Sequence, residues 1–255
     1  MRQYETIVCD VQDGVAQLGF NRPDMLNAMN RLMMDEIIDA LEFITGDKQV
    51  SVAVITGSGR AFMAGADIKE YSRQTPDEFR SFQGKGRRLY ALIEGAEIPF
   101  IAAVNGFALG GGFEIALACD FIVAAASAKM GLPEVHLGLI PGGGGAQRLL
   151  LRIGLGRAKE MLLLGQAYEA AKMLEWGVVH AVAEDGSLEE MTNALAEKLK
   201  RRPRQAVKAI KGMLTPSAIE AAFESRLDRE GAAVAALFHT AEARKLIQEF
   251  VEKNK

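Results

Sequence analysis

Two glutamates in this 255-residue chain lie among apolar residues and beside glycine-rich turns. Glu114 follows Gly110-Gly-Gly112 and precedes Ile115-Ala-Leu-Ala118. Glu134 closes Gly131-Leu-Pro-Glu134, just ahead of Gly138-Leu-Ile-Pro-Gly-Gly-Gly-Gly145. Taken singly, each has an ordinary explanation. A carboxylate in a first helical turn is favoured by the dipole, and a turn glutamate is usually solvated. The helix expected after Glu114, however, is apolar on nearly every side and should be buried. Two carboxylates close to one water could divide general acid and general base work on a neutral carbon skeleton, because burial separates their proton affinities. The glycines suit the same chemistry. Without a β-carbon the backbone can approach a ligand closely, and first-turn N–H groups lack partners and face developing negative charge. The run lacks G-x-G-x-x-G spacing and has no phosphate-loop lysine after it, so nucleotide binding is not indicated.

An α/β framework should position these residues. Tyr4–Val11 and Val15–Phe20 are predicted as strands of a hairpin around Gln12-Asp13-Gly14. Asn30 is placed to cap the amphipathic segment Arg31–Ile44, which Gly46 ends. Val50–Thr56 is expected to be a strand buried on both faces, followed by a loop over Gly57–Asp67 and a helical segment, Pro76–Glu94. Next come a strand at Phe100–Val104, a helix from the glycine run to about Cys119 and a strand at Phe121–Ala125. This alternation implies a mixed α/β core. Ala146–Ile153 has helical character, and Trp176 and the stripe Met161–Leu164 are expected in the core. Ser187–Lys200, Pro203–Met213, Ile219–Phe238 and Ala241–Lys253 are all helical in period. They divide the chain into a core over residues 1–187 and a helical region over 188–255. No internal repeat is visible.

Composition narrows the function. A hydrophobic share of 49% and a charged share of 25% are those of an ordinary globular chain,. The net charge of −3 argues against a polyanion-binding surface,. Lys198–Arg204 is the one basic stretch, and it reads as a solvated helix end. Cys9 and Cys119 sit in apolar runs as buried free thiols, which fits a reducing compartment. His136, His180 and His239 lack metal-ligand spacing, and His136 reads as structural. Ser58 has no nucleophile elbow around it. No stretch approaches the ~20 apolar residues of a membrane span, and no leader signature opens the chain, so a cytoplasmic location is expected.

Along nearly its whole length the sequence resembles the enoyl-CoA hydratase/isomerase (crotonase) superfamily, with its hydratases nearest. The matching pieces are Asn21-Arg-Pro23, Leu26-Asn-Ala28, Ala61–Lys69, Ala103–Glu114, Cys119-Asp120, Gly131–Glu134, Gly138–Gly142 and Gln147-Arg-Leu149, in the family's order and spacing. The resemblance implies a ClpP/crotonase-like ββα spiral core with a C-terminal helical trimerisation region. It implies that backbone N–H groups of Ala66 and Gly111 hold the thioester oxygen, a contribution of ~3–4 kcal/mol per donor. Glu114 and Glu134 would orient a water for attack on the β-carbon and deliver a proton to the α-carbon, with the Gly142 N–H helping to hold that water. Ala64, Gly65, Asp67, Ile68 and Lys69 would contact CoA, Lys69 as a phosphate contact.

The implied substrate is an acyl-CoA thioester, the implied assembly a homotrimer or dimer of trimers, with no cofactor beyond the CoA of the substrate and no metal. Carrying both glutamates favours reversible hydration of trans-2-enoyl-CoA to 3-hydroxyacyl-CoA, as in fatty-acid degradation. Double-bond isomerisation needs only one base, and an RNA-binding or scaffolding role needs neither. Departures from the family pattern are Asp24 in place of a frequent cation, Leu132 in place of a glutamine, Phe113 in place of a small residue, and the stretch Ala243–Leu246. Leu132 and Phe113 are expected to reshape the acyl pocket, and the Tyr71–Ala91 region to set its depth.

Overall fold

The N-terminal hairpin pairs β1 (Ile7–Gln12) antiparallel to β2 (Val15–Phe20), with Asp13 and Gly14 in the left-handed turn conformation. The computed structural model describes residues 3–184, 186–215 and 223–253. Asn30 caps α1 (Arg31–Gly46), its side chain accepting from the Met33 N–H at 2.9 Å. The helix buries Met33, Met34, Ile37, Ile38, Leu41 and Ile44 on its apolar stripe. Beyond it the chain winds as a repeating unit of two strands followed by helix. The first turn comprises β3 (Val52–Gly57), β4 (Ala61–Met63), α2 (Ile68–Tyr71) and α3 (Pro76–Glu94). The second is β5 (Phe100–Val104), β6 (Phe107–Leu109) and α4 (Gly111–Ala118). The third is β7 (Phe121–Ala125), β8 (Lys129–Gly131), a 3₁₀ turn at Glu134–Leu137 and α5 (Gly145–Leu164).

The first strand of each turn enters a six-stranded sheet of order β1-β2-β3-β5-β7-β10, parallel from β2 onward. The second enters a four-stranded sheet of order β4-β6-β8-β9, closed antiparallel by β9 (Ala167–Glu169). The helix α6 (Ala170–Glu175) then leads to β10 (Ala181–Ala183). This is the expected ββα spiral. Its three-residue strands β4, β6, β8 and β9 were not anticipated, and β4 falls in a stretch expected to be loop. Strands that short carry barely one period of side-chain alternation.

Val52–Ile55 is buried on both faces, as expected of a parallel strand covered on each side,. One side is the main core. The other is a smaller cluster, with Val52, Val54, Ile101, Ala103 and Val123 beneath Ala196 and neighbouring leucines of α7 (Leu188–Lys200). After α8 (Arg204–Met213) come α9 (Phe223–Phe238) and α10 (Ala241–Lys253). The start of the helix expected over Ile219–Phe238 lies outside the described residues. Arg204 bonds the carbonyls of Lys48 and Val50, while Lys198, Arg201 and Arg202 are exposed.

Two core expectations need correction. Cys119 is buried but Cys9 is only half-buried: it packs on the core beside Ile7 and Val11, but from β1, the edge strand of its sheet. In the stripe Met161–Leu164 only Met161 is fully buried. Leu163 is 70% and Leu164 52% exposed, since four successive residues go more than once round a helix,. Trp176 is in the core. No described helix is long and apolar enough to cross a membrane.

Candidate active site

A cavity of about 280 Å³ lies between α3, the α4 N-terminus, the 3₁₀ turn and the C-terminal helices. Ala64, Gly65, Ala66, Ile68, Gly110, Gly111, Glu114, Glu134 and Gly142 all line it. The chain thus brings together residues as far apart in sequence as Ala64 and Phe250, which also lines it.

Two close approaches require glycine. Gly110 sits at φ +51°, where a side chain is strained, and its β-carbon would stand 3.1 Å from Glu134 Oε1,. A β-carbon on Gly112 would fall 2.1 Å from the Met63 carbonyl oxygen. Glycine there lets α4, which carries Glu114, press against β4, which leads into Ala66.

Two residues that line the cavity have backbone N–H groups with no acceptor among the described residues. The parallel bridge between Met29 and Ala66 is made by the Gly65 carbonyl and the Asp67 N–H, so the Ala66 N–H points away from Met29 and has no acceptor among the described residues. Gly111 is the first residue of α4, where an N–H has no intrahelical partner,. Both line the cavity that holds the glutamates.

Glu114, 3% exposed, is held firmly. Its Oε1 accepts from the N–H groups of Gly143 and Gly145, each at 2.8 Å, and its Oε2 accepts from the Tyr90 hydroxyl at 3.3 Å. Burial raises its proton affinity, while the Gly145 and Gly143 N–H groups, Arg148 and Tyr90 pull it back down. Burial and the Glu114 charge raise Tyr90 well above the usual phenol range, so it stays protonated and donates. Glu134 is held differently. Its Oε2 is enclosed with no hydrogen-bond partner. Burial foremost, then the charges of Glu114 and Glu230, push it well above the usual carboxylate range. The two carboxyls are therefore split: Glu114 is the better anion and Glu134 the better proton store.

Around this pair are residues to which sequence reasoning gave no role, although Arg148 lies in the matching piece Gln147-Arg-Leu149. Arg148, 4% exposed, donates to both oxygens of Glu94 at 2.6 and 2.8 Å and also to the Gly143 carbonyl, which fixes the glycine turn. Glu230 of α9 accepts from the Gly144 N–H at 2.6 Å. Burial, and then the Glu114 charge, push Glu230 up to about 8. A carboxyl raised on folding binds its proton more tightly in the native chain than in the unfolded one. The contribution of this group to stability is therefore full below the ordinary value of 4.5 and is lost as pH rises toward 8, by up to ~1.4 kcal/mol per pH unit. Thermal melts from pH 5 to 8 should show that decline, and Glu230→Gln should flatten it.

Other expectations fall unevenly. Gly142 lines the cavity, and its N–H has no acceptor among the described residues. Asp67 does not line it. It caps α2, accepting from Glu70, and pairs with Arg22 at 3.1 Å. Lys69 borders a separate polar groove with Arg22, Arg31 and Arg73. Phe113 and Leu132 are core residues off the cavity wall, so they do not shape it directly. Tyr71, Phe82, Gln83, Gly86 and Tyr90 do form wall, as expected of that region. His136 also lines the cavity, its Nε2 3.1 Å from the Gly165 carbonyl. The divergent Ala243–Leu246 stretch packs against Gly138, at the end of the Glu134 turn.

Comparison with known proteins places the whole chain in one family. The family model described as Enoyl-CoA hydratase/isomerase matches residues 10–255. A crotonyl-CoA hydratase of Syntrophomonas wolfei is 37% identical, covering 99% of this chain and 97% of that protein. A short-chain-enoyl-CoA hydratase of Clostridium acetobutylicum is 35% identical over the same shares, 99% and 97%. The crystal structure of an enoyl-CoA hydratase/isomerase from Mycobacterium paratuberculosis superposes with a TM-score of 0.91 at 30% identity, covering 97% of this chain and 100% of that one. In sequence and in fold, the chain belongs to the enoyl-CoA hydratase/isomerase family.

Proposed function

We infer that this protein adds water reversibly across the double bond of trans-2-enoyl-CoA thioesters, giving 3-hydroxyacyl-CoA. The observation that carries this reading is geometric: one cavity holds a carboxyl fixed by two backbone donors, a second carboxyl whose Oε2 is enclosed without a partner, and two residues whose N–H groups have no acceptor among the described residues. The thioester oxygen is received by the N–H groups of Ala66 and Gly111. A water near Gly142 loses a proton to Glu114 while its oxygen bonds to the β-carbon. The double-bond electrons move toward the thioester, whose oxygen gains charge against the two donors. Glu134 then gives its proton to the α-carbon, and exchange of one proton between the carboxyls and solvent restores the starting state. Isomerisation would use one base only and leave the fixation of Glu114 by two backbone donors without a task.

The acyl group is short. About 280 Å³ is at the lower edge of the ~300–1,000 Å³ typical of small-molecule sites,, and Gln83, Phe82 and Tyr71 stand in its wall. Two relatives named for crotonyl and short-chain substrates point the same way. The rest of CoA would extend outward past Ala64, Gly65 and Ile68, with Lys69 near its phosphates. Such a reaction belongs to degradation of fatty or related acyl-CoA esters in the cytoplasm. The exposed leucines 151, 155, 163 and 164 support subunit contacts in a homotrimer or dimer of trimers. Rates measured with enoyl-CoA esters of four to sixteen carbons should peak at four to six and fall at least tenfold by ten. A rate that rises with chain length would overturn the short-chain assignment.

A further inference from the structure

One face of α3 is turned to the glycine turn beside Glu114. Gln83, Gly86 and Tyr90 are spaced three and four residues apart, so they share that face, and all three line the cavity. The two polar ends reach neighbouring residues of the turn. Tyr90 donates to Glu114 Oε2 at 3.3 Å, and a β-carbon on Gly143 would stand 2.7 Å from that same oxygen. A β-carbon on Gly142 would stand 2.7 Å from Oε1 of Gln83 and 3.1 Å from its Nε2. The Gln83 amide is thus packed on Gly142, one residue from the point where Glu114 Oε2 meets the turn.

In the proposed reaction the attacking water sits near Gly142, and it has two hydrogens. One goes to Glu114. The other stays on oxygen throughout and becomes the hydroxyl hydrogen of the product. That hydrogen needs an acceptor, because an enclosed donor left unpaired is costly and a held water makes two to four polar contacts. The other polar side chains of the wall are occupied. The Tyr90 hydroxyl donates to Glu114, His136 Nε2 is 3.1 Å from the Gly165 carbonyl, and Glu134 keeps its proton for the α-carbon. Tyr71 is met by the Gln83 N–H, which leaves Oε1 as the end of the amide nearer Gly142. That oxygen has no protein donor among the described residues.

We propose that Gln83 is a further water-binding residue of the site: its Oε1 accepts the hydrogen that the attacking water keeps, and afterwards the same hydrogen on the 3-hydroxyl of the product. The proposal rests on the hydratase reading. It makes Gln83 a residue that tells the two ends of the reaction apart, since crotonyl-CoA has no oxygen on its β-carbon and 3-hydroxybutyryl-CoA has one.

The test is steady-state kinetics in both directions for the wild type, Gln83→Met and Gln83→Asn, with a melting curve for each. Methionine keeps the length of the side chain and removes the acceptor. Asparagine keeps the amide and withdraws it by one methylene. In hydration each variant should lower kcat about tenfold, the scale of one hydrogen bond lost at a reacting oxygen, with KM for crotonyl-CoA within about twofold of wild type. In dehydration KM for 3-hydroxybutyryl-CoA should rise about fivefold and kcat fall about twofold. The two directions then lose kcat/KM equally, as the equilibrium constant requires. A merely structural role would move both KM values together or lower the melting point without this asymmetry. An unchanged KM for 3-hydroxybutyryl-CoA, or KM values that rise alike for the two substrates, overturns the proposal. If Gln83→Met does not fold, Gln83→Asn decides on the same readings. A wild type that fails to hydrate crotonyl-CoA would refute the functional reading and this inference with it; an active wild type whose variants lack the asymmetry refutes only the inference.

Discussion

Glu134→Gln is expected to lower kcat for crotonyl-CoA hydration by roughly 10²–10⁴-fold, the range for loss of a positioned acid or base, with KM changed only a few-fold. Glutamine fills the same space but cannot release a proton to carbon. The protonated acid is what the enclosed, unpartnered Oε2 favours. Glu114→Gln should cost turnover on the same scale for the opposite reason. The Gly143 and Gly145 donors would still find an acceptor oxygen, but an amide accepts no proton from water. Because hydration needs both the base and the acid, losing one already removes most of the catalysis, and the double variant should be little worse than either single one. Stopped-flow or steady-state rates of the purified variants measure this directly. A rate within tenfold of wild type for either single variant would contradict the assigned roles.

Arg148→Met should carry the largest stability loss of any single change near the site, about 3–5 kcal/mol for breaking a buried ion pair from one side. Methionine matches the aliphatic stem but leaves the mostly buried Glu94 carboxylate unpaired and the Gly143 carbonyl without its donor. For a chain of this size the melting midpoint should drop by roughly 6–20 °C. The cost should not be confined to stability. Gly143 is also a donor to Glu114, so the surviving folded enzyme should show a lower kcat as well. Scanning calorimetry checks the first effect, and rates at a temperature well below the midpoint check the second. Replacing Glu94 and Arg148 together by apolar residues should recover part of the lost stability, because no lone charge is then left buried.

The sequence made the larger periodic elements legible. The hairpin, α1 with its Asn30 cap, α3, β5, α4 and β7 all lie within a few residues of their expected places. Their periods of two and 3.6 run for long enough to be read. The second strand of each spiral turn escaped notice because a three-residue strand such as Ala61–Met63 is too short to alternate visibly. The ββα repeat was legible only through the family resemblance, since it recurs in geometry and not in residue types.

Within the site, Glu114 could be singled out from local evidence, as an acid in a helix start that is otherwise apolar. Glu134 needed the family resemblance to set it beside Glu114. Glu230 and Arg148 gave no local signal. Glu230 lies in a mixed charged and alanine-rich stretch, and Arg148 resembles any helical arginine until the fold places it against Glu94. What a long-range contact does to a charge cannot be read from its neighbours in sequence. Asp67 and Lys69 illustrate the converse: a contiguous motif from Ala64 to Lys69 leaves the cavity wall as it enters α2, because successive helical residues point to different sides,.

The most direct test of the central claim is to incubate the protein with crotonyl-CoA in deuterated water enriched in heavy oxygen and analyse the product by mass spectrometry. Hydration predicts 3-hydroxybutyryl-CoA carrying one solvent oxygen on the β-carbon and one deuterium on the α-carbon, formed at a rate that Glu134→Gln lowers by roughly 10²–10⁴-fold. Recovery of unchanged crotonyl-CoA, or deuterium incorporation with a shifted double bond and no added oxygen, would contradict it.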